Sequence, residues 1–314
     1  MMKILIGHDG SQTADAALFD LQRAGLPHDA EALIVSVADI IMVPATPSYE
    51  LAAQGLMSRR VTSGLVYAQR QAELVLKEAN EIASRATDKV QSYFPGWNIR
   101  TETLAGSAAF ELISKANEWK PDLIVVGSHG RSAVSRFILG SVSKKVVTDS
   151  DHSVRVSRGN IERDVNKPPK VVIGVDGSTE AEQAIRSVGS RVWPRGTEVR
   201  IVTVDDSVST RRITHILPTA AEIIGSSNEE AARKAKQMAE WAAEELRVIG
   251  LNVSVVQEKG DPRRVLIDQA RDWDADSIFV GGRRFSSALE RFQLGSVATA
   301  LVTKAHCSVE VARS

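Results

Sequence analysis

Apolar residues in this chain take two alternating forms: short unbroken runs, and longer stretches in which they recur every three or four positions. Ile4-Leu5-Ile6 and Leu123–Val126 are runs of the first kind, Ala32–Val37 is one broken only by Ser36, and Ile99–Leu104 and Val154–Val156 read as two further strands. Their length and branched content predict strands buried on both faces. Between them lie stretches of helical spacing. One follows Asp9-Gly10-Ser11, read as a turn and helix cap, and carries Ala16, Ala17, Phe19 and Leu21; others cover Val61 to Val90, Phe110–Trp119 and about Gly140 to Thr148. A loop with Pro44 and Pro47 precedes the longest of them. Strand and helix in this alternation predict a parallel, doubly wound α/β sheet.

The pattern is then written a second time. KILIGHDGS at 3–11 recurs as KVVIGVDGS at 170–178, RFILGSV at 136–142 as RFQLGSV at 291–297, and DHSVRV at 151–156 rhymes with AHCSVEV at 305–311. Three matches in one order indicate a duplicated domain. The second copy predicts strands near 171–175, 199–204, 252–256, 277–280 and 308–311, with helices near 179–190, 229–249, 262–273 and 288–303. RGNIERDVNKPP at 158–169 is polar, lacks apolar periodicity and ends in two prolines, so it reads as a linker. The expected organisation is therefore one domain at 1–157, a linker at 158–169 and a second domain at 170–314.

The length of 314 residues agrees with about two domains. With 39 basic and 39 acidic residues, the chain lacks the net field that draws a protein nonspecifically to nucleic acid or anionic membrane, so neither partner is expected. A single cysteine, Cys307, rules out an internal disulfide and any Cys-x-x-Cys site. The start of the chain reaches Gly7, His8 and Asp9 after three apolar residues, and no apolar run approaches membrane-spanning length. These features together predict a cytoplasmic protein.

In an open parallel sheet, ligands bind beyond the carboxyl ends of the strands where the strand order reverses. The first strand ends at Asp9-Gly10-Ser11. The fourth runs into Gly127-Ser128-His129-Gly130, followed after nine residues by Gly140-Ser141 at a helix start. Each glycine alone is explained by a tight turn or a cap. Together they describe a surface that lets an anion approach the backbone closely, with free amides and a positive dipole end at the last helix.

G-x-x-G, nine residues, then G-S, with an aspartate ending the first strand, resembles the nucleotide-binding signature of the universal stress protein family. The duplicated layout resembles its tandem two-domain members. The resemblance implies two tandem domains, each a five-stranded parallel sheet flanked by helices. It also implies ATP, or a related adenine nucleotide, as ligand, alone or with Mg²⁺. Carried onto this sequence, it puts Asp9 and the backbone at Val37 on the adenine and ribose side, Gly127 and Gly130 along the ribose and phosphate path, and Gly140, Ser141 and Val142 at the phosphates. Because the last strands of family members pair across a two-fold axis, Val154–Val156 and Val309–Val311 are expected to pair within one chain as a pseudo-dimer. Leftover apolar surface leaves a homodimer open as well.

The second copy departs from the signature. It keeps Asp176, Val204, Gly295, Ser296 and Val297; counting back from Gly295 places Gly282 at the first glycine and Phe285 at the second. Anchoring on the strand instead gives Gly281 and Arg284, with one extra residue afterwards. In both registers a bulky side chain replaces a glycine, so a degenerate or altered second site is expected. Arg283 and Arg284 remain open as phosphate partners or solvated charges.

Other residues read as structural. His8 and His129 flank the crevice without a third ligand spaced to hold a metal, so no metal site is expected. The five tryptophans follow no common spacing, Cys307 reads as a small buried residue, and Arg211-Arg212 is too short for a nucleic-acid patch. No nucleophile elbow, P-loop or G-x-G-x-x-G follows a strand, and no catalytic residues can be assigned. Binding is better supported than turnover. Three functions stay open: a stress-response protein using nucleotide occupancy as a signal to an unknown partner, a nucleotide-free tandem scaffold, and a slow ATPase.

Overall fold

The computed structural model describes residues 1–40, 59–130, 139–158, 163–206, 221–282 and 294–313. The first half runs β1 (Met2–Gly7), α1 (Gln12–Asp20), β2 (Ala30–Ala38), α2 (Arg59–Tyr93), β3 (Asn98–Ala105), α3 (Ala108–Trp119), β4 (Leu123–Gly127), α4 (Ser141–Asp149) and β5 (Val154–Ser157). The second half repeats it: β6 (Lys170–Val175), α5 (Thr179–Gly189), β7 (Glu198–Asp205), α6 (Ala221–Val248), β8 (Asn252–Lys259), α7 (Pro262–Asp272), β9 (Ser277–Gly281), α8 (Ser296–Lys304) and β10 (Ser308–Ala312).

Each half is a parallel sheet flanked by helices, and the two join into one ten-stranded sheet of order β3-β2-β1-β4-β5-β10-β9-β6-β7-β8. The joint is the single antiparallel step, with Val309 opposite Val156, Glu310 opposite Arg155 and Val311 opposite Val154. Ile4, Ile6, Leu18, Leu21 and Ile34 form a core on one face of the first half, and Ile173, Ile185, Ile201 and Phe279 form its counterpart in the second. On the opposite face one continuous core passes through the joint, taking Leu5, Leu112 and Val146 from one half, Leu266, Ile278 and Leu301 from the other, and the valines of β5 and β10.

Local chemistry starts the helices where the sequence predicts. Ser11 and Ser178 each cap a helix by accepting the amide of Ala14 and Ala181, and Asp261 caps α7 with Pro262 in its first turn. One predicted element is shorter than expected. The helix read over 288–303 begins, among the described residues, at Ser296, because Gly295 is an extended N-cap with φ −54° and ψ 148°. Residues 288–293 lie outside the described residues, as do Pro44, Pro47, Arg211, Arg212, Arg283, Arg284 and Phe285. Among the described residues, no helix is long and apolar enough to cross a membrane.

Candidate functional site

The strand order reverses between β1 and β4 in the first half and between β6 and β9 in the second. A crevice opens at the carboxyl ends of each of these strand pairs, as expected for an open parallel sheet.

In the first half, His8 continues the ladder beyond β1 by donating its amide to the Val35 carbonyl at 3.0 Å. Asp9 then turns the chain: its Oδ1 accepts the Ser11 amide at 3.0 Å, and Gly10 takes φ +80°, a left-handed conformation that favours glycine. Ser11 Oγ contacts Thr13 Oγ1 at 2.9 Å, and Thr13 Oγ1 donates to the His129 carbonyl at 2.7 Å. The turn after β1 and the loop after β4 are thus tied together by one hydroxyl. Ser143 reaches back from α4 and donates to the Gly127 carbonyl at 2.5 Å.

Gly127 lies close to other backbone and Gly130 close to the Asp9 carboxylate. A Cβ on Gly127 would come within 3.3 Å of the Thr13 carbonyl, and one on Gly130 within 3.0 Å of Asp9 Oδ2. Gly140 donates its amide to the Ser128 carbonyl at 2.8 Å. Asp9, Val37, Gly127, Gly130 and Val142 all line the crevice, whereas Gly140 and Ser141 stand beside it at the start of α4. His8 and His129 line it as well, both buried. His8 Nδ1 accepts the Gly10 amide at 3.2 Å, and its Nε2 faces Asp15 Oδ1 at the same distance. Burial pushes the His8 pKa below its ordinary value against the opposing pull of Asp15 and Asp9. The crevice volume is about 90 Å³, well below the roughly 300–1,000 Å³ usual for small-molecule pockets.

The second crevice repeats the first with different furniture. Asp176 Oδ1 accepts the Ser178 amide at 3.0 Å and Gly177 takes φ +81°, so the Asp-Gly-Ser turn is preserved. Asp176, Val204, Gly295, Ser296 and Val297 line a cavity of about 510 Å³. Val175 and Glu180 stand where the first half has His8 and Thr13, and both line the cavity.

Both halves match the model of the universal stress protein family, over residues 1–158 and 168–313. The chain belongs to the universal stress protein family. A universal stress protein of Mycolicibacterium smegmatis is 25% identical over 314 residues, covering 99% of this chain and 96% of its own length. Universal stress protein MJ0531 of Methanocaldococcus jannaschii is 29% identical over 171 residues, or 54% of this chain and 84% of its own. Among solved structures, a universal stress protein from Archaeoglobus fulgidus superposes with a TM-score of 0.60 at 18% identity, covering 99% of this chain and 98% of its own; the likeness is one of fold.

The tandem arrangement of this universal stress protein fixes the register of its second glycine segment. Gly127 and Gly281 both end the fourth strand of their half. The residues after them make equivalent bonds, Ser128 to the Ser157 carbonyl and Gly282 to that of Ala312. The backbone counterpart of Gly127 is therefore Gly281, not Gly282. Gly281 lines the cavity, while Gly282 packs against Val311 and Arg313. Counting back from Gly295 misleads because the segment between the glycine and the last helix is one residue longer in the second half.

Thr13, Ser143, Leu112 and Ala108 also shape the first crevice. Thr13 and Ser143 each lie two residues beyond a Ser of the signature and turn a hydroxyl inward to a carbonyl of the loop after β4 or its strand end. Among the described residues no three His, Cys, Asp or Glu side chains converge to hold a metal. Cys307 is buried, and burial pushes its thiol up to about 12.

Proposed function

We propose that this chain is a cytoplasmic stress-response protein that binds ATP or a related adenine nucleotide in the first half and uses occupancy as a conformational signal. One observation carries the reading: the Gly140 amide is held by the Ser128 carbonyl at 2.8 Å, directly before the first turn of α4, whose N-cap Gly140 supplies no side-chain cap. A helix start with no side-chain cap is a ready anion site. A phosphate there takes the Gly140 amide from Ser128, and entry of the sugar draws Gly130 away from Asp9. The small volume of the crevice and the signal are then one mechanism, since occupancy requires the glycine segment to move. Asp9, Val37, Gly127, Gly130, Gly140, Ser141 and Val142 hold the nucleotide in this reading, and a Mg²⁺ ion would come with the phosphates, bringing neutralising charge. In the second half, Glu180 adds an acidic residue to the cavity lining where the first half has Thr13, which supports an altered site despite its larger volume.

A second reading, a nucleotide-free tandem scaffold, is favoured by the 90 Å³ volume of the first crevice. The deciding experiment is to count nucleotide released from heat-denatured protein and then to titrate the nucleotide-free protein with ATP by calorimetry. One adenine nucleotide per chain is expected. Two per chain overturns the altered second site, and none, with no heat at millimolar ATP, leaves the scaffold.

A further inference from the structure

The joint between the halves holds charges where a strand pair of this kind needs none. The internal repeat that carries Val154 to Val309 and Val156 to Val311 carries Arg155 to Glu310. Those two residues also face each other in the antiparallel register, so the pseudo-two-fold axis passes between them. In a symmetric pairing of two first halves, Arg155 would face a second Arg155; in a pairing of two second halves, Glu310 would face a second Glu310.

Both side chains are wholly buried. Arg155 Nε donates to Asp20 Oδ2 at 2.8 Å, and its Nη1 lies 3.5 Å from Glu310 Oε2. Glu310 Oε1 accepts from Ser187 Oγ at 2.9 Å and from Arg191 Nη2, while Arg191 Nη1 reaches across to the Ala24 carbonyl at 2.6 Å. Each half thus brings its own counter-charge, Asp20 for Arg155 and Arg191 for Glu310. What remains for the opposite half is the face of a guanidinium on one strand and of a carboxylate on the other. The contact is not built for strength: neither Nη atom of Arg155, nor Glu310 Oε2, makes a hydrogen bond. Buried ion pairs contribute little net stability against apolar packing of the same shape, and their best-attested use is to set register and partner.

We propose that Arg155 and Glu310 form a pairing code that makes the edge strand of one half accept the unlike half and refuse a like one. An unpaired edge strand is a template for association with any other edge, and an inward-pointing charge is an established way to block it. β5 is made before β10 during synthesis, with Val154 and Val156 beside its charge. Arg155 keeps that edge from joining the same edge of a neighbouring chain until the carboxylate of β10 arrives. A second observation bears on the pairing of two second halves. Arg23 of the first half donates to Asp276 of the second through Nε at 2.7 Å and Nη2 at 2.8 Å, and Ser190, at the position equivalent to Arg23, has no charge to return. A pair of second halves would lack this bond too.

The test uses three full-length variants, Arg155→Glu, Glu310→Arg and the double reversal, compared by sedimentation and thermal melting. Each single reversal leaves two excess charges of one sign in the joint. The single variants are expected to lose the compact monomer or to melt roughly 10 °C or more below the parent, on the scale at which a few kcal/mol moves a domain of this size. The double reversal makes the joint neutral again, with two carboxylates contributed by the first half facing two guanidinium groups contributed by the second, and it recovers a compact monomer. Refolding the two single variants together at equal concentration yields a one-to-one heterodimer, because each chain then finds its complement only on the other. Compact single variants that melt with the parent overturn the proposal. So does a double variant no better than its parents, or a refolded mixture without heterodimer.

Discussion

Arg158 and Arg313 occupy equivalent positions just past β5 and β10, and each crosses the joint to cap the last helix of the other half. Arg158 Nη2 donates to the Val302 carbonyl at 2.6 Å and to that of Thr303 at 3.2 Å. Arg313 Nη2 donates to the Val147 carbonyl at 2.7 Å, and its Nη1 to that of His152 at 3.1 Å. Their backbones are reciprocal as well, the amide of Arg158 bonding Ser308 Oγ and that of Arg313 bonding Ser153 Oγ. The last carbonyls of a helix have no intrahelical donors, and a cation there also meets the negative end of the dipole.

Removing either cap should therefore loosen the joint. Arg158→Ala and Arg313→Ala are each expected to cost about 2 kcal/mol, the scale of a hydrogen bond from a charged donor, read as a lower urea midpoint. Lysine at 313 should recover only part of the loss, because a single ammonium cannot reproduce the fork by which the two Nη atoms of Arg313 reach two carbonyls, whereas lysine at 158, where one Nη2 serves both carbonyls, should recover more. A lysine variant as stable as the parent would show that charge alone matters there.

The turn after β1 carries a pH dependence of known sign. His8 accepts the Gly10 amide at Nδ1, so that nitrogen is unprotonated in the intact turn, and Asp15 beside Nε2 is itself paired with Lys89 at 2.7 Å. With its folded pKa pushed below 6.5 by burial, the neutral imidazole contributes stability that is full above about 6.5 and falls as pH drops toward the folded value, where the unfolded chain binds the extra proton. His306 is also lowered, by burial first and then by Arg163, and acts in the same direction. The melting temperature should therefore fall on acidification below about pH 6.5, and His8→Asn should remove part of that slope. An unchanged slope in His8→Asn would mean that His8 does not titrate with folding.

Two glycines of the second half should respond to alanine to very different extents. A Cβ on Gly281 would overlap the carbonyl carbon and oxygen of Glu180, which are backbone and cannot rotate away. Among the described residues nothing lies within 4 Å of the Cβ direction of Gly295, and its φ of −54° is open to any residue. Gly281→Ala is expected to cost about 2–3 kcal/mol or more through overpacking. Gly295→Ala should stay within about 1 kcal/mol, the scale of losing a glycine cap. The difference in urea midpoint between the two checks both.

Much of this was legible in the sequence because repetition and strand periodicity are local signals. The Asp-Gly-Ser turns at Asp9 and Asp176 and the strand ends at Gly127 and Gly281 follow from residue type and order, while the pairing of Val154–Val156 with Val309–Val311 was expected from the family resemblance. The register of the second glycine segment did not follow, since one inserted residue shifts a count made from Gly295 but leaves the strand ending at Gly281. The ion pairs of the joint were hidden for a different reason. Arg23 and Asp276, or Arg191 and Glu310, are more than a hundred residues apart, and a charge in an apolar run such as SVRVS or SVEVA carries no mark of its partner. Thr13 and His129 meet only because α1 and the loop after β4 converge at the switch point.

The same contrast gives the sharpest test of the candidate site. A Cβ on Gly140 would lie 3.4 Å from His129 Cα and 3.5 Å from the Ser128 carbonyl oxygen, ordinary contacts that the fold accommodates, and the backbone there, φ −61° and ψ 150°, suits any residue. Gly140→Ala should therefore fold with a melting temperature close to the parent. A phosphate drawn to the amides of Gly140, Ser141 and Val142 has to approach that backbone closely, and a methyl group there keeps it away. The expected result is an ATP dissociation constant raised at least about tenfold, close to 1.4 kcal/mol, while Gly295→Ala leaves the first-half titration unchanged. Retention of parental affinity in Gly140→Ala would move the phosphates away from the start of α4, and a matching loss in Gly295→Ala would place the working site in the second half, where the larger cavity lies.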